Sequence, residues 1–145
     1  MAPHSSSLSI LLPVDGSANS DRAVQLLIAL HEKLAPLGVR VLHVRVPAVA
    51  GENMLSRQEA VEWNSADGGK DALRSAEALL DDAGIPYISE VRRGYVPQEI
   101  ANYAKEFDCN AIIMGTRGMG TTDEILGSIV RQVVALTNIP ITLVK

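Results

Sequence analysis

The chain has 145 residues, 47% of them apolar and 21% charged, with a formal net charge of −4. That balance suits one globular domain with a full core. Scattered Lys and Arg and only 3% aromatics argue against a nucleic-acid-binding face, and no apolar run approaches the roughly 18 residues that cross a bilayer.

The start, MAPHSSSLSI, lacks a basic stretch followed by an apolar core, so no secretory leader is expected and the protein is read as cytoplasmic. Residues 1–7 read as a loose tail. LSILLPV (8–14) has strand length and is stopped by Asp15-Gly16-Ser17. From Ala18 the pattern turns helical. Ala23, Leu26, Leu27, Leu30 and Leu34 recur at three- and four-residue spacing on one face, with Ser17 or Asn19 as the cap and Pro36 and Gly38 as the stop. VRVLHVRV (39–46) is the second strand, closed by Pro47, and 48–56 is expected to be a loop.

A second helical pattern runs from about Arg57 to Ala83, with Ala72, Leu73, Ala76, Leu79, Leu80 and Ala83 as its apolar face. Gly68-Gly69 either interrupts this helix or marks its true beginning, because a glycine costs about 1 kcal/mol in a helix interior. Gly84 is its stop. IPYISEVRRG (85–94) alternates partially, as a strand near a sheet edge does. VPQEIANYAKEF (96–107) is a short helix with Pro97 in its first turn. NAIIM (110–114), apolar throughout, reads as an interior strand. A glycine-rich loop follows, then a helix from about Gly127 or Ser128 to Leu136. IPITLVK (139–145) is the last strand, an apolar edge that invites pairing with another chain.

Strands and helices thus alternate along the whole chain, with no internal repeat and no linker. The expectation is a single α/β domain over residues 1–145: a five-stranded parallel sheet, right-handed crossovers, and helices on both faces. Ligands of such sheets sit past the carboxyl ends of the strands, where the strand order reverses. The informative residues are then Asp15-Gly16-Ser17, Pro47 onward, Gly94 and the stretch Gly115 to Ser128.

That last stretch, GTRGMGTTDEILGS, holds four glycines, several hydroxyls and Arg117. It is neither a dinucleotide fingerprint, which wants G-x-G-x-x-G after the first strand, nor a Walker loop, which ends in Gly-Lys-Ser/Thr. Glycines let backbone N–H groups point at an anion, and Gly127-Ser128 opens a helix whose free N–H groups favour a phosphate. The same glycines equally serve a tight turn, and Asp123 and Glu124 argue against an anion. The residues alone leave both readings standing.

ILLPVDGS near the start, VLHVRVP in the second strand, and IIMGTRGMG, LGSIVRQVV and IPITLVK toward the end resemble the universal stress protein family, over nearly the whole chain and in the family's order of elements. The resemblance implies a Rossmann-like sandwich of the adenine nucleotide alpha hydrolase type, and, for one branch of the family, ATP binding through the pattern G-x2-G-x9-G-[S/T]. Gly115 and Gly118 match its first pair and Gly127-Ser128 its last, but eight residues separate Gly118 from Gly127, one fewer than the pattern. The resemblance further implies Asp15 near the ribose, Pro13 and Val14 flanking adenine or ribose, and Val44 reading the adenine edge through its backbone. With Met114, Arg117 and Ile129 these make up the expected nucleotide-binding set. It also implies a homodimer paired through the C-terminal strand.

Other chemistry is weakly signalled. His4, His31 and His43 show no metal-ligand spacing. Ser17 and Ser128 have no visible histidine base, and Cys109, the only cysteine, reads as a buried thiol. Met54 and Leu55 are placed to lie over an adenine, and Trp63 reads as a helix-face anchor. Three functions are left: a dimeric ATP-dependent stress regulator, a dimer that binds no nucleotide, and a slow ATPase with Asp15 placing Mg²⁺. No evident water-activating base favours the last.

Overall fold

The segment SILLP is apolar on both of its sides, so a strand built from it is stable only when helices cover both faces of its sheet. The structure, a computed structural model that describes residues 8–34, 36–46, 69–116 and 127–145, has this arrangement. The elements in chain order are β1 (Ser9–Pro13), α1 (Ala18–Lys33), β2 (Gly38–Arg45), α2 (Lys70–Asp82), β3 (Ile88–Arg93), α3 (Val96–Glu106), β4 (Ala111–Gly115), α4 (Ser128–Leu136) and β5 (Ile141–Val144). The strands form one parallel sheet in the order β3-β2-β1-β4-β5. The last two expected strands are therefore where the sequence put them, β4 inside and β5 at an edge, and β3 is the other edge.

Alternation along β1 divides the interior in two. Leu11 points into one core with Leu42, Val44, Ile112 and Met114, closed by Val96, Ile100 and Tyr103 of α3 and Val130 and Val133 of α4. Ile10 and Leu12 point into the other with Val41 and Ile113, closed by Ala23, Val24 and Leu27 of α1 and Leu73, Ala76 and Leu80 of α2. Leu11, Leu12, Leu27, Leu80 and Ile112 are completely buried. At about 25 cal/mol per Å² of apolar surface, burial of this kind is the main favourable contribution to folding.

Element ends follow local chemistry. The Ser17 side chain accepts the Ser20 amide at 3.1 Å and caps α1. Helix α2 begins directly after Gly69, which takes a φ of +90°; Gly68, the expected helix over 57–68, the loop 48–56 and the tail 1–7 lie outside the described residues. At its other end Gly84 takes a φ of +70°, its amide reaches Asp81 O and the Ile85 amide reaches Leu80 O, a Schellman stop. Ile85 still belongs to that turn, which is why β3 starts at Ile88 and not at Ile85 as expected.

On the α3 side of the β3 edge, charge replaces apolar packing. Arg92 pairs with Glu90 and with Glu106, each at 2.9 Å, and lies 4.8 Å from the Tyr103 ring centroid. Arg40 of β2 stacks 3.8 Å over Phe107 and donates to the Tyr103 hydroxyl at 3.0 Å. A charged edge discourages pairing with another chain.

Candidate functional site

In this strand order β1 sits between β2 and β4, so the chain leaves β1 toward β2 and β3 and later returns on the opposite side as β4 and β5. The carboxyl ends of β1 and β4 therefore flank the point of reversal, the position where open α/β sheets bind ligands. Pro13, Val14 and Asp15 end one strand; Met114, Gly115 and Thr116 end the other.

The β1 end is held by a compact set of bonds. The Val14 amide donates to Leu42 O at 2.8 Å, and the buried His43 ring has Nδ1 2.9 Å from Val14 O. Asp15 is buried; its Oδ1 accepts the Ser17 amide at 2.9 Å, and its own amide donates to the Ser20 hydroxyl at 3.3 Å. Of the roles weighed for Asp15, the turn role is thus visible in the geometry. Its carboxylate and the Ser17 cap together fix the entry into α1.

The β4 end is knitted to the chain terminus. The Thr116 amide donates to Val144 O at 2.9 Å, and the Gly127 amide donates back to Thr116 O at 2.8 Å. This last bond closes the foot of the glycine loop. Arg117 and Gly118, and with them Asp123 and Glu124, lie outside the described residues. Gly127, expected to offer its amide to a phosphate, instead spends it on Thr116 O. The N–H groups with no intrahelical partner at this end are those of the residues that follow, beginning with Ser128 and Ile129. Gly127 brings no side chain of its own to cap α4, and no acidic residue stands in the helix's first turn. The positive end of its dipole is therefore not neutralised by its own first turn.

The remaining expected residues divide. Val44 and Met114 are buried, with side chains in the core under α3 and α4. Ile129 is partly buried against the same core. Pro13 and Val14 are buried, Val14 in the opposite core. Ser128 is half-buried at the start of α4 and gives its carbonyl to the Gln132 amide group at 3.3 Å. Gln132 in turn accepts the Tyr95 hydroxyl, tying α4 to the turn after β3. Asn19 and Thr116 were missed as site residues. Asn19 stood out only as a possible cap, whereas its side chain donates to Val144 O at 2.9 Å, a contact across 125 residues that no local pattern announces.

Burial pushes the Cys109 thiol above its ordinary value, with the Ser9 hydroxyl 3.9 Å away. Among the described residues no group of His, Cys, Asp or Glu is arranged to hold a metal ion, and no helix is long and apolar enough to cross a membrane.

Residues 8–145 match the sequence model of the universal stress protein family. The universal stress protein YxiE of Bacillus subtilis is 28% identical over 146 residues, covering 94% of this chain and 97% of that one. Among solved structures, a universal stress protein in complex with cAMP superposes with a TM-score of 0.70 at 18% identity, over 95% of this chain and 97% of that one. The universal stress protein of Archaeoglobus fulgidus in complex with dAMP gives 0.66 at 20% identity, over 96% and 98%. These two likenesses are likenesses of fold.

Proposed function

Because the chain belongs to the universal stress protein family, we propose that it is a cytoplasmic stress-response protein that binds an adenine nucleotide, ATP first among them, at the carboxyl ends of β1 and β4. The observation that carries this reading is the start of α4 at Gly127, which brings no side chain of its own to cap it and is set by the Gly127–Thr116 bond beside the reversal of strand order. A helix N-terminus in that position favours phosphate through its amides and its dipole. Two proteins of the same fold are complexes with cAMP and dAMP, which supports an adenylate as the ligand class.

In this reading Pro13, Val14 and the Val44 backbone flank the adenine and ribose, and Asp15 lies beside the ribose. Met114, Gly115, Arg117, Gly118, Gly127, Ser128 and Ile129 surround the phosphates, with Mg²⁺ as a companion ion. Gly127 contributes by holding the loop closed, and the amides of Ser128 and Ile129 meet the phosphate. The protein works as a homodimer paired through β5 and acts by its nucleotide state. Binding is favoured over hydrolysis because the sequence offers no evident water-activating base.

The test is a thermal-melt series with ATP, ADP, AMP and cAMP, each with and without Mg²⁺. A hundredfold excess over Kd adds roughly 2.7 kcal/mol, a shift of several degrees for a domain of this size. A shift with at least one adenylate supports the reading. No shift at millimolar concentrations of all four removes it in favour of a dimer that binds no nucleotide.

A further inference from the structure

Asn19 lies in the first turn of α1 and is 8% exposed. Its Nδ2 donates to Val144 O at 2.9 Å, and that carbonyl also accepts the Thr116 amide at 2.9 Å. Thr116 O receives the Gly127 amide. One carbonyl of β5 and one residue past β4 therefore form a foot on which the glycine loop stands, and Asn19 braces that foot from α1. Three residues further along α1, Arg22 Nε donates to Lys145 O at 2.6 Å.

Gly115 belongs to the same brace. Its φ is not in the left-handed region, so its backbone conformation does not require glycine. The requirement comes from Asn19: a Cβ at Gly115 would stand 2.4 Å from Asn19 Oδ1 and 2.7 Å from its Cγ. A glycine that the sequence offered as part of a phosphate cradle is thus also the clearance that lets the Asn19 amide reach β5.

We propose that Asn19 is a positioning residue that ties the carboxyl end of β4 to the terminal strand, so that a ligand held by the amides at the start of α4 stiffens β5. The coupling half rests on the nucleotide reading above; the tie itself does not. A ligand that fixes the amides at the start of α4 fixes Gly127, hence Thr116, hence the Val144 carbonyl. Asn19 holds that carbonyl against the rigid first turn of α1. Coupling of this kind requires an element that both sites bias, and the Val144 carbonyl is that element.

The experiment is hydrogen exchange of the segment 139–145 in the full chain and in Asn19→Ala, each free and with ATP and Mg²⁺, beside melting curves of the same samples. In the free protein Asn19→Ala should exchange in this segment roughly fivefold faster, the weight of one net hydrogen bond. ATP should slow the segment in the natural chain but not in the variant, although ATP still raises the variant's melting temperature. Equal exchange of the two free proteins overturns the tie. Equal slowing by ATP in both overturns the coupling. If no nucleotide moves the melting temperature of the natural chain, the nucleotide reading falls and the coupling with it, while the comparison of the free proteins still decides the tie. Should Asn19→Ala not fold, Asn19→Asp makes the same comparison, because it removes the donor while adding a charge that a helix first turn favours. As a second measurement, Gly115→Ala should lower the melting temperature more in the natural chain than in the Asn19→Ala background; equal losses overturn the assignment of Gly115 to Asn19.

Discussion

Cys109 is 5% exposed, and burial raises the pKa of its thiol. Since the thiolate is the reacting species, shielding and protonation act in the same direction. Alkylation by iodoacetamide near neutral pH should be at least roughly tenfold slower in the folded protein than in the guanidinium-unfolded chain. Comparable rates would show that the thiol is reached by reagent in the folded protein, contrary to its burial. The buried state of this thiol was legible in the sequence, because the residue immediately precedes an apolar strand. The role of Asn19 was not. Its partners are Val144 and Gly115, brought to it only by the completed sheet. An asparagine in a first turn looks the same whether it caps its own helix or braces a strand 125 residues away. Gly127 shows the opposite case: its position at the helix start could be read, but the commitment of its amide to Thr116 depends on where β4 ends.

Helix starts decide what the carboxyl face of the sheet offers. α1 is closed by Ser17, whose hydroxyl accepts the Ser20 amide at 3.1 Å, whereas α4 begins at Gly127, which has no side chain to cap it. Ser17→Ala should therefore destabilise the protein by about 1 kcal/mol in a urea titration. A loss well above 2 kcal/mol would mean that the cap also holds the Asp15 turn. Most element identities could be read from periodicity and turn residues. The boundary at β3 could not. A Schellman turn captures Ile85 after α2, and nothing in the local pattern of Ile85-Pro86-Tyr87 distinguishes a residue that continues a turn from one that begins a strand. The charged face of that strand was likewise invisible until Arg92 met Glu106, and Arg40 met Phe107, across separate elements.

Across the whole molecule one sheet separates two cores, and β1 belongs to both. Leu11 and Leu12 are adjacent and completely buried, yet they face opposite helix layers. Leu11→Ala and Leu12→Ala should each cost about 2–5 kcal/mol. Each variant should still unfold in a single transition followed identically by circular dichroism and fluorescence, because the strand that both cores share cannot be lost from one alone. Separate transitions in either variant would show that the layers are independent. The alternation itself was hidden in SILLP, where residues bound for different faces are equally apolar, so the sequence showed a run of strand length without saying which side chain served which core.

The bond from the Gly127 amide to Thr116 O, at 2.8 Å, also bears on how this scaffold tolerates change. It brings Thr116 and Gly127, the two ends of the intervening segment, together. The free energy of closing such a segment grows only by about 0.6 kcal/mol for each doubling of its length. The cost of closing the segment therefore depends only weakly on how many residues it contains. The junctions at Thr116 and Gly127 are natural splice points: a foreign peptide spliced between them would have its two ends held together by this bond.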